Sequence, residues 1–293
     1  MDEQAFAFLI EPHRRALHLH CYRMLGSLHD AEDALQETML RAWKGSDRYE
    51  PRAQLGTWLH TIATNVCLTA LARRRSQPSQ LVEDLDYLQP YPDRLLDDLV
   101  ARETVELAFI TAIQLLPPKQ RAVLILRDVL GWSASEVADA LQDSVGAVTS
   151  ALQRARASLE GTHRYPSAPG RGDRALVKRF MAAWDAVDID ALVALLTEDA
   201  VMTMPPERMR VAGARAIGDF FASVPQQGRL DEISLLPTAA NRQLALAGYA
   251  PVNGKHRPYG LMVLEINGDL ISGIFGFPDP WLFGQCGLPS ELD

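Results

Sequence analysis

A short segment rich in proline and glycine, residues 165–172, divides the chain into two parts whose apolar residues recur with different periods. Before it, apolar residues recur every three or four positions, as they do on one face of a helix. After it, two helical stripes are followed by strand-like segments, and the last two of these are joined around Asn267 and Gly268, a strong hairpin signal. The sequence therefore predicts a multi-domain chain with an all-α N-terminal part and an α+β C-terminal domain.

Helices and strands can be placed more closely within each part. Asp30 is predicted to be an acidic N-cap, with a second acid, Asp33, three places on, and residues 55–75 have the period of a second helix. In the C-terminal part the helical stripes are Val177, Phe180, Met181 and Trp184, then Leu192, Leu195 and Leu196. The segments predicted to form an antiparallel sheet are residues 200–204, 244–252, 260–266 and 270–277.

Composition excludes several classes of protein. The 293 residues suffice for two or three domains, and no apolar run approaches the length of about 18 residues that a membrane span needs. The first ten residues carry acids and no basic residue, which argues against a secretory leader. Cys21, Cys67 and Cys286 lie far apart, which argues against a disulfide framework or a zinc site. We therefore expect a cytoplasmic protein that uses no membrane, metal or cofactor.

The formal net charge of −8 is unevenly distributed along the chain. Residues 83–102 contain six acidic and two basic side chains, whereas basic side chains cluster in residues 41–52 and 73–75. The negative net charge excludes a surface that is basic everywhere. It does not exclude nucleic-acid binding, because local charge decides whether phosphates are bound.

A helix-turn-helix pattern lies near the end of the helical part. Residues 135–141 form a short helix with the small Ala138 at a crossing position, and residues 142–144 form the turn. The second helix, residues 145–159, carries Val145, Val148 and Leu152 on its inner face. Its outer face carries donors suited to phosphates and base edges: Thr149, Ser150, Gln153, Arg154 and Arg156. DNA binding and an ordinary two-helix corner with a solvated basic face both stay open.

Aromatic and basic residues are interleaved in the N-terminal segment. Trp43, Tyr49 and Trp58 lie among cations that include Arg41, Lys44, Arg48, Arg52 and residues 73–75. Aromatic rings that stack on unpaired bases, beside cations that hold phosphates, are typical of single-strand binding. The alternative is that Trp43 and Trp58 belong to the core and that the arginines end a solvated helix.

Four motifs follow one another in the first 160 residues. They are Asp30-Ala-Glu-Asp-Ala-Leu-Gln-Glu-Thr38, Thr57-Trp-Leu-His-Thr-Ile-Ala-Thr-Asn65, Leu115-Leu-Pro-Pro-Lys-Gln-Arg-Ala-Val-Leu124 and Ser144-Val-Gly-Ala-Val-Thr-Ser-Ala-Leu-Gln-Arg-Ala-Arg156. In this order they closely resemble the bacterial sigma-70 family, specifically its small extracytoplasmic-function class. The resemblance implies a transcription initiation factor that binds core RNA polymerase and directs it to promoter DNA.

The resemblance also implies roles for individual residues. The acidic helix resembles the surface that contacts the clamp helices of the largest polymerase subunit, through Glu32, Asp33, Gln36 and Glu37. The following loop and helix resemble the part that melts and reads the minus-ten element, through Lys44, Arg48, Tyr49, Trp58, Asn65 and Arg73. The helix-turn-helix resembles the reader of the minus-thirty-five element, through Thr149, Ser150, Gln153, Arg154 and Arg156.

Three positions depart from the family's pattern. Thr69 stands where many members have an acid, and Ala151 where many have a base. Gly146 lies inside the recognition helix, where glycine costs about 1 kcal/mol relative to alanine. These departures leave the promoter sequence open.

The motifs and linkers predict five segments: residues 1–82 (sigma region two), 83–102 (an acidic linker), 103–164 (sigma region four), 165–172 (a second linker) and 173–293 (the C-terminal domain). The two sigma regions are expected to be separate helical lobes. The acids of the first linker are Asp84, Asp86, Asp93, Asp97 and Asp98. They either lie along basic channel walls of the polymerase or belong to a solvated tether.

Residues 173–293 resemble the SnoaL-like domains of the nuclear-transport-factor-two-like superfamily, in residues 180–184, 190–200 and 202–206 and in the closing hairpin. The resemblance implies a curved antiparallel sheet wrapped by helices, which forms a cone with an apolar cavity. The candidate pocket residues are Trp184, Met202, Met204, Phe221 and Tyr249.

Three uses of this domain stay open. It contacts the sigma regions and modulates their activity in cis, which we favour, or it binds an unidentified small ligand, or it is catalytic. Candidate acid–base groups for catalysis are Asp185, Asp188, Asp199, Tyr249, Tyr259 and His256. We expect no enzyme activity, because no pair of these has a spacing that demands it.

Two other functions compete with the initiation factor. One is a DNA-binding regulator that works without polymerase, and a complex with core polymerase would exclude it. The other is a cone-fold enzyme fused to a DNA-binding module. It requires a water-accessible cavity with a buried carboxylate of perturbed pKa.

Overall fold

The structure, a computed structural model, describes residues 3–46, 54–75, 87–97, 104–160, 171–205 and 207–292. The chain forms two units. The first contains Met1–Glu83, Leu96–Val100 and Ala108–Arg164, and the second contains Asp84–Leu95, Ala101–Leu107 and Tyr165–Asp293. Of the described part of the predicted acidic linker, residues 87–95 therefore belong to the second unit. In the described part of the chain, no helix is long and apolar enough to cross a bilayer.

The first unit is all helical. Its helices are α1 (Glu3–Ile10), α2 (Arg14–Leu25), α3 (Leu28–Gly45), α4 (Leu55–Arg75), α5 (Leu107–Gln114), α6 (Pro118–Leu124), α7 (Ala134–Leu141) and α8 (Val145–Leu159). Helix α6 continues as a π-helical turn, Ile125–Val129. We call α1–α4 the N-terminal lobe and α5–α8 the helix-turn-helix lobe; Leu107, the first residue of α5, belongs to the second unit.

Helix α3 begins earlier than the sequence predicts. Ser27 is its N-cap, and the Ser27 hydroxyl accepts a hydrogen bond from the backbone N–H of Asp30 at 3.2 Å. The prediction that Asp30 caps this helix is therefore wrong. Asp30 lies in the first turn, where its negative charge still favours the positive end of the helix dipole. The preceding helix stops at Gly26, whose φ of 76° suits glycine.

The two lobes, predicted as separate helical regions, pack against each other within the first unit. The Arg121 side chain, which is 3% exposed, lies at their junction. Its guanidinium donates to the carbonyl of Met24 in α2, and within its own lobe to the carbonyls of Gln114 at 2.6 Å and Leu116 at 3.3 Å. The Gln114 amide donates to the carbonyl of Arg23 at 2.9 Å. The last carbonyls of a helix have no hydrogen-bond donor within the helix, and here side chains supply these donors.

The second unit is an α+β domain. Its helices are α9 (Arg171–Asp185), α10 (Ile189–Val193), α11 (Ala214–Phe221) and α12 (Trp281–Gln285). Its strands are β1 (Leu196–Met204), β2 (Glu207–Ala212), β3 (Ser234–Ala240), β4 (Gln243–Val252), β5 (Lys255–Asn267) and β6 (Leu270–Phe277). They form one sheet in the order β2-β1-β6-β5-β4-β3.

The sheet is not wholly antiparallel, because β1 and β6 pair in parallel. Strands β2 and β3 are absent from the sequence prediction, and both are edge strands. Pro237 lies inside β3, where an edge position suits it because a proline cannot donate a hydrogen bond to a neighbouring strand. Strands β4 and β6 lie where they were predicted. One face of the sheet packs on α9 and α11 through Phe180, Trp184 and Phe221.

Candidate nucleic-acid interface and associated surfaces

Helix α8 is held by a capped turn. The Ser144 hydroxyl accepts from the backbone N–H of Ala147 at 3.1 Å, so Ser144 is the cap, and Gln142 turns the chain with a φ of 51°. Asp143 accepts from the ammonium of Lys119 and from the N–H of Ser144, and these bonds lower the pKa of its carboxyl. The turn is therefore fixed in place before any partner binds.

The face of α8 that packs inward carries Val148, Ala151, Leu152 and Ala155. Val145 was predicted on this face, but it is 49% exposed, because the buried stripe begins one turn later at Val148. The opposite face is exposed and includes the predicted DNA contacts Thr149, Ser150, Gln153, Arg154 and Arg156. Ala151 is buried, so it has no place on the outer face.

The arginines of α8 differ in their surroundings. The Arg156 guanidinium makes a two-point ion pair with Asp128, with Nε–Oδ2 at 2.9 Å and Nη2–Oδ1 at 2.7 Å. These hydrogen bonds raise the pKa of Arg156. For Arg154, no ion pair is found with any residue that the structure describes. The guanidinium of Arg154 is therefore available to a phosphate, whereas the ion pair of Arg156 with Asp128 links α8 to the π-helical turn that follows α6.

The predicted minus-ten residues are distributed along α3 and α4. Lys44 and Arg73 are exposed, and Trp58 is half-buried against Gly45. The amide of Asn65 donates to the carbonyls of Thr61 at 3.0 Å and Ala140 at 3.4 Å. Ala140 belongs to α7, so Asn65 contacts the helix-turn-helix lobe. Two further predicted residues, Arg48 and Tyr49, lie outside the described residues.

The predicted polymerase contacts lie on α3. Glu32 is near Arg14 at 3.4 Å and His18 at 3.6 Å, and Glu37 pairs with Arg41 at 2.6 Å. The other two, Asp33 and Gln36, are exposed. Leu40 continues this stripe and is 54% exposed. The sequence prediction missed Leu40. The sequence could have indicated it, because Leu40 is apolar but does not lie on the helix face of the buried residues Ala31, Leu35, Thr38 and Ala42.

A second polar site, which the sequence prediction also missed, lies at the turn between β3 and β4. The side chain of Asn241 is fully buried. It accepts from the N–H of Tyr91 at 2.6 Å and donates to the carbonyl of Val105 at 2.6 Å. Gln243, 2% exposed, accepts from the N–H of Leu107 at 2.7 Å and donates to the carbonyl of Leu264 at 3.3 Å.

We call Asn241 and Gln243 the linker clasp. Its bonds are reinforced by the backbone, since the N–H of Asn241 donates to the carbonyl of Tyr91 at 2.8 Å. The N–H of Arg242 donates to the carboxylate of Asp93 at 2.8 Å. Tyr91 is fully buried, so this stretch of the linker is not a solvated tether. Of the other linker acids, Asp97 is exposed, and Asp84, Asp86 and Asp98 lie outside the described residues.

An apolar cavity of about 240 Å³ lies between the sheet and the helices of the C-terminal unit. Four of the predicted pocket residues line it: Trp184, Met202, Met204 and Phe221. The indole N–H of Trp184 donates to the carbonyl of Ile233 at 3.2 Å. Among the residues that line it, the ionisable groups are Glu207 and Tyr259, both exposed at the surface.

Tyr249 does not line the cavity, and this prediction is wrong. A register irregularity follows Gly248, and the Tyr249 ring packs edge-on against Phe283 of α12, with ring centroids 5.1 Å apart. Its hydroxyl donates to the carbonyl of Pro289 at 3.0 Å, and burial raises its pKa. Of the other acid–base candidates, Asp188 caps α10 by accepting from the N–H of Ala191 at 2.9 Å. The remaining candidates, Asp185, Asp199 and His256, do not line the cavity.

Comparison with known families assigns all three parts of the chain. The family model for Sigma-70 region 2 matches residues 9–77, and the model for Sigma-70 region 4 matches residues 106–159. The model for the SnoaL-like domain matches residues 177–256.

Individual relatives extend this likeness to nearly the whole chain. The ECF RNA polymerase sigma factor SigG of Mycobacterium tuberculosis (strain H37Rv) is 42% identical over 98% of this chain and 85% of SigG. SigM of the same strain is 35% identical over 54% of this chain and 76% of SigM. The crystal structure of the M. tuberculosis sigma factor SigJ has the same fold, with a TM-score of 0.68 at 24% identity over 95% of this chain and 98% of SigJ. The chain therefore belongs to the extracytoplasmic-function (ECF) sigma factors of RNA polymerase.

Proposed function

We propose that this sigma factor binds core RNA polymerase through the outer face of α3 and promoter DNA through α4 and α8. As a member of its family, the chain is a transcription initiation factor that directs core RNA polymerase to promoters. The observation that carries the residue assignment is that one helical unit leaves two polar surfaces exposed. One is the acidic stripe of α3, and the other is the hydroxyl, amide and guanidinium face of α8.

The polymerase surface can be tested by reversing one charge. Asp33→Lys is expected to weaken binding to core polymerase about tenfold or more, because a like charge would face a basic partner surface. The measurement is competition for purified core enzyme against labelled wild-type protein. Asp185→Lys, the same change at an exposed position of α9, is the control and should bind normally. Equal binding by Asp33→Lys and the wild type would contradict the assignment.

The DNA surface is tested by the two arginines of α8. Arg154→Ala should reduce the slope of log affinity against log salt by about one, since one phosphate contact is lost. Arg156→Ala should leave the slope nearly unchanged, because Asp128 already neutralises that guanidinium. The measurement is promoter-DNA binding by the reconstituted holoenzyme between low and moderate salt. An unchanged slope for Arg154→Ala would contradict the placement of α8 on DNA.

The packed lobes represent a state before DNA binding. The minus-ten and minus-thirty-five elements are about 25 base pairs apart, or about 85 Å at 3.4 Å per pair. Asn65 of α4 and Ala140 of α7 are in hydrogen-bond contact. Both elements therefore cannot be occupied until the lobes separate.

The linker clasp supports modulation in cis by the C-terminal domain. The segment between α4 and α5 must extend when the lobes separate, yet Asn241 holds it at Tyr91 and Val105, and Gln243 holds the first residue of α5, Leu107. A clasped linker therefore opposes separation, and its release favours the open, promoter-binding state. This is an intramolecular contact between the C-terminal domain and the chain that connects the sigma regions.

The remaining roles of the C-terminal domain follow from its cavity. We assign it no catalysis, because its lining brings no buried carboxylate to the apolar interior and its relatives are sigma factors. Binding of a small apolar ligand stays a prediction, supported by the volume and the apolar lining. We propose a cytoplasmic location, because a sigma factor acts on core RNA polymerase there.

A further inference from the structure

The first turn of α8 contains two residues that the fold does not use. Gly146 lies inside a regular helix, where glycine is a poor choice because it gives up more backbone freedom than alanine does. Val145, beside it, has 49% of its surface exposed. Such a pair weakens the helix and leaves apolar surface in water.

Within the part of the chain that the structure describes, packing does not require a glycine at position 146. A methyl group built there would meet no atom of a described residue within 4 Å, and the backbone is not in the left-handed region. Gly218 and Gly276 differ in this respect. A methyl at Gly218 would lie 2.4 Å from Val193, and one at Gly276 would lie 2.6 Å from Met204. The contacts of Gly146 within the described chain therefore do not explain a glycine there, whereas close approach by a partner would.

The partner that reaches this turn is DNA if α8 is the recognition helix. The N-terminal residues of a recognition helix contact base edges in the major groove. Bare backbone permits a closer approach than any side chain does. In the major groove, the C5-methyl group of thymine is the apolar feature that a valine can contact.

We infer that Gly146 lets the first turn of α8 approach the base edges of the minus-thirty-five element and that Val145 contacts a thymine methyl group there. This inference rests on the proposed placement of α8 on DNA. It predicts that the minus-thirty-five element contains at least one thymine whose methyl group is recognised. This thymine lies at the end of the element that the first turn of α8 contacts. The exposed valine and the glycine then both serve to contact base edges in the major groove.

The glycine is tested with a matched pair of variants in the full-length protein. Gly146→Ala should lower holoenzyme affinity for its selected promoter duplex about tenfold or more, while the free protein unfolds at the same or a higher temperature. Gly284→Ala is the control, because Gly284 also lies in a helix with open space where its methyl would stand. It should leave affinity unchanged. Normal DNA affinity for Gly146→Ala would overturn the inference.

The valine is tested by replacing each thymine of the element with deoxyuridine, which lacks only the methyl group. At one position the wild type should lose about fivefold in affinity, and Val145→Ala should lose the same factor on the unmodified duplex. The two changes together should cost no more than either alone. Additive losses would overturn the contact. Loss of binding by Arg154→Ala with normal binding by Gly146→Ala refutes this inference alone. Normal binding by both variants refutes the placement of α8.

Discussion

Replacing Asn241 with alanine is expected to release the linker from the C-terminal unit and to increase promoter-dependent transcription. The side chain makes two hydrogen bonds to buried backbone groups, the N–H of Tyr91 and the carbonyl of Val105. Each group left unpaired costs about 1–3 kcal/mol, so docking should weaken by about 2–6 kcal/mol. That is a factor of about 30 or more in the ratio of docked to released linker.

Two measurements test this expectation. Hydrogen exchange at the amide of Tyr91 should accelerate about thirtyfold or more, and run-off transcription with limiting core enzyme should rise. Asn253→Ala is a matched control, because Asn253 also has a positive φ, 52°, in a hairpin turn but is exposed. Asn253→Ala also places an alanine in the left-handed region, with the same backbone strain, but it removes no contact with the linker. Gln243→Leu removes the bond to Leu107 without altering a left-handed residue.

The outcomes separate the two steps of the proposal. Unchanged exchange at Tyr91 in Asn241→Ala would show that the side chain does not hold the linker. Faster exchange with unchanged transcription would show that the linker is held but that holding it does not modulate initiation.

Replacing Arg121 with methionine is expected to destabilise the helical unit by about 3–5 kcal/mol. Methionine fills similar space but donates no hydrogen bond, so the carbonyls of Met24, Gln114 and Leu116 lose a charged donor. Urea unfolding followed by helical circular dichroism measures the loss. The midpoint should fall while the slope of the transition is unchanged.

Arg154→Met is the control, because it makes the same substitution at an exposed position of the same lobe. Its effect should lie within about 0.5 kcal/mol of the wild type. A loss below about 1 kcal/mol for Arg121→Met would contradict the role given to this residue. In that case, water would have to satisfy the carbonyls that Arg121 now contacts.

Local features of the fold were predictable where one period dominates. Strand β6 lies within the predicted bounds because Asn267 and Gly268 fix its start. Helix α8 also lies within its predicted bounds, because Ser144 caps it. The edge strands β2 and β3 were missed, because an edge strand is specified by its place in the sheet as much as by its residues. The start of α3 was misplaced because Ser27 caps the helix ahead of the more conspicuous acids.

The contacts between distant segments were not predictable. Nothing near Asn241 indicates that its amide pairs with backbone at residues 91 and 105, since this depends on where the linker lies in three dimensions. The same holds for Arg121, which the sequence places in a polar motif and the structure buries between lobes. Tyr249 was misassigned because it lies on the face of β4 opposite to Leu246, Gly248 and Ala250, which belong to the core and cavity side. Alternation along the strand therefore places its ring against Phe283.

The bonds formed by Asn241 and Gln243 have a consequence for how the chain can evolve. They end on backbone N–H and carbonyl groups of the linker, of Val105 and of the first residue of α5, and every residue other than proline possesses both groups. Mutations that exchange linker side chains would leave these bonds in place, whereas a change at either amide would remove them. Selection on the docked geometry should therefore fall on the hairpin. The exposed side chains of the tract between the two sigma regions are then free to vary, whereas buried ones such as Tyr91 are not.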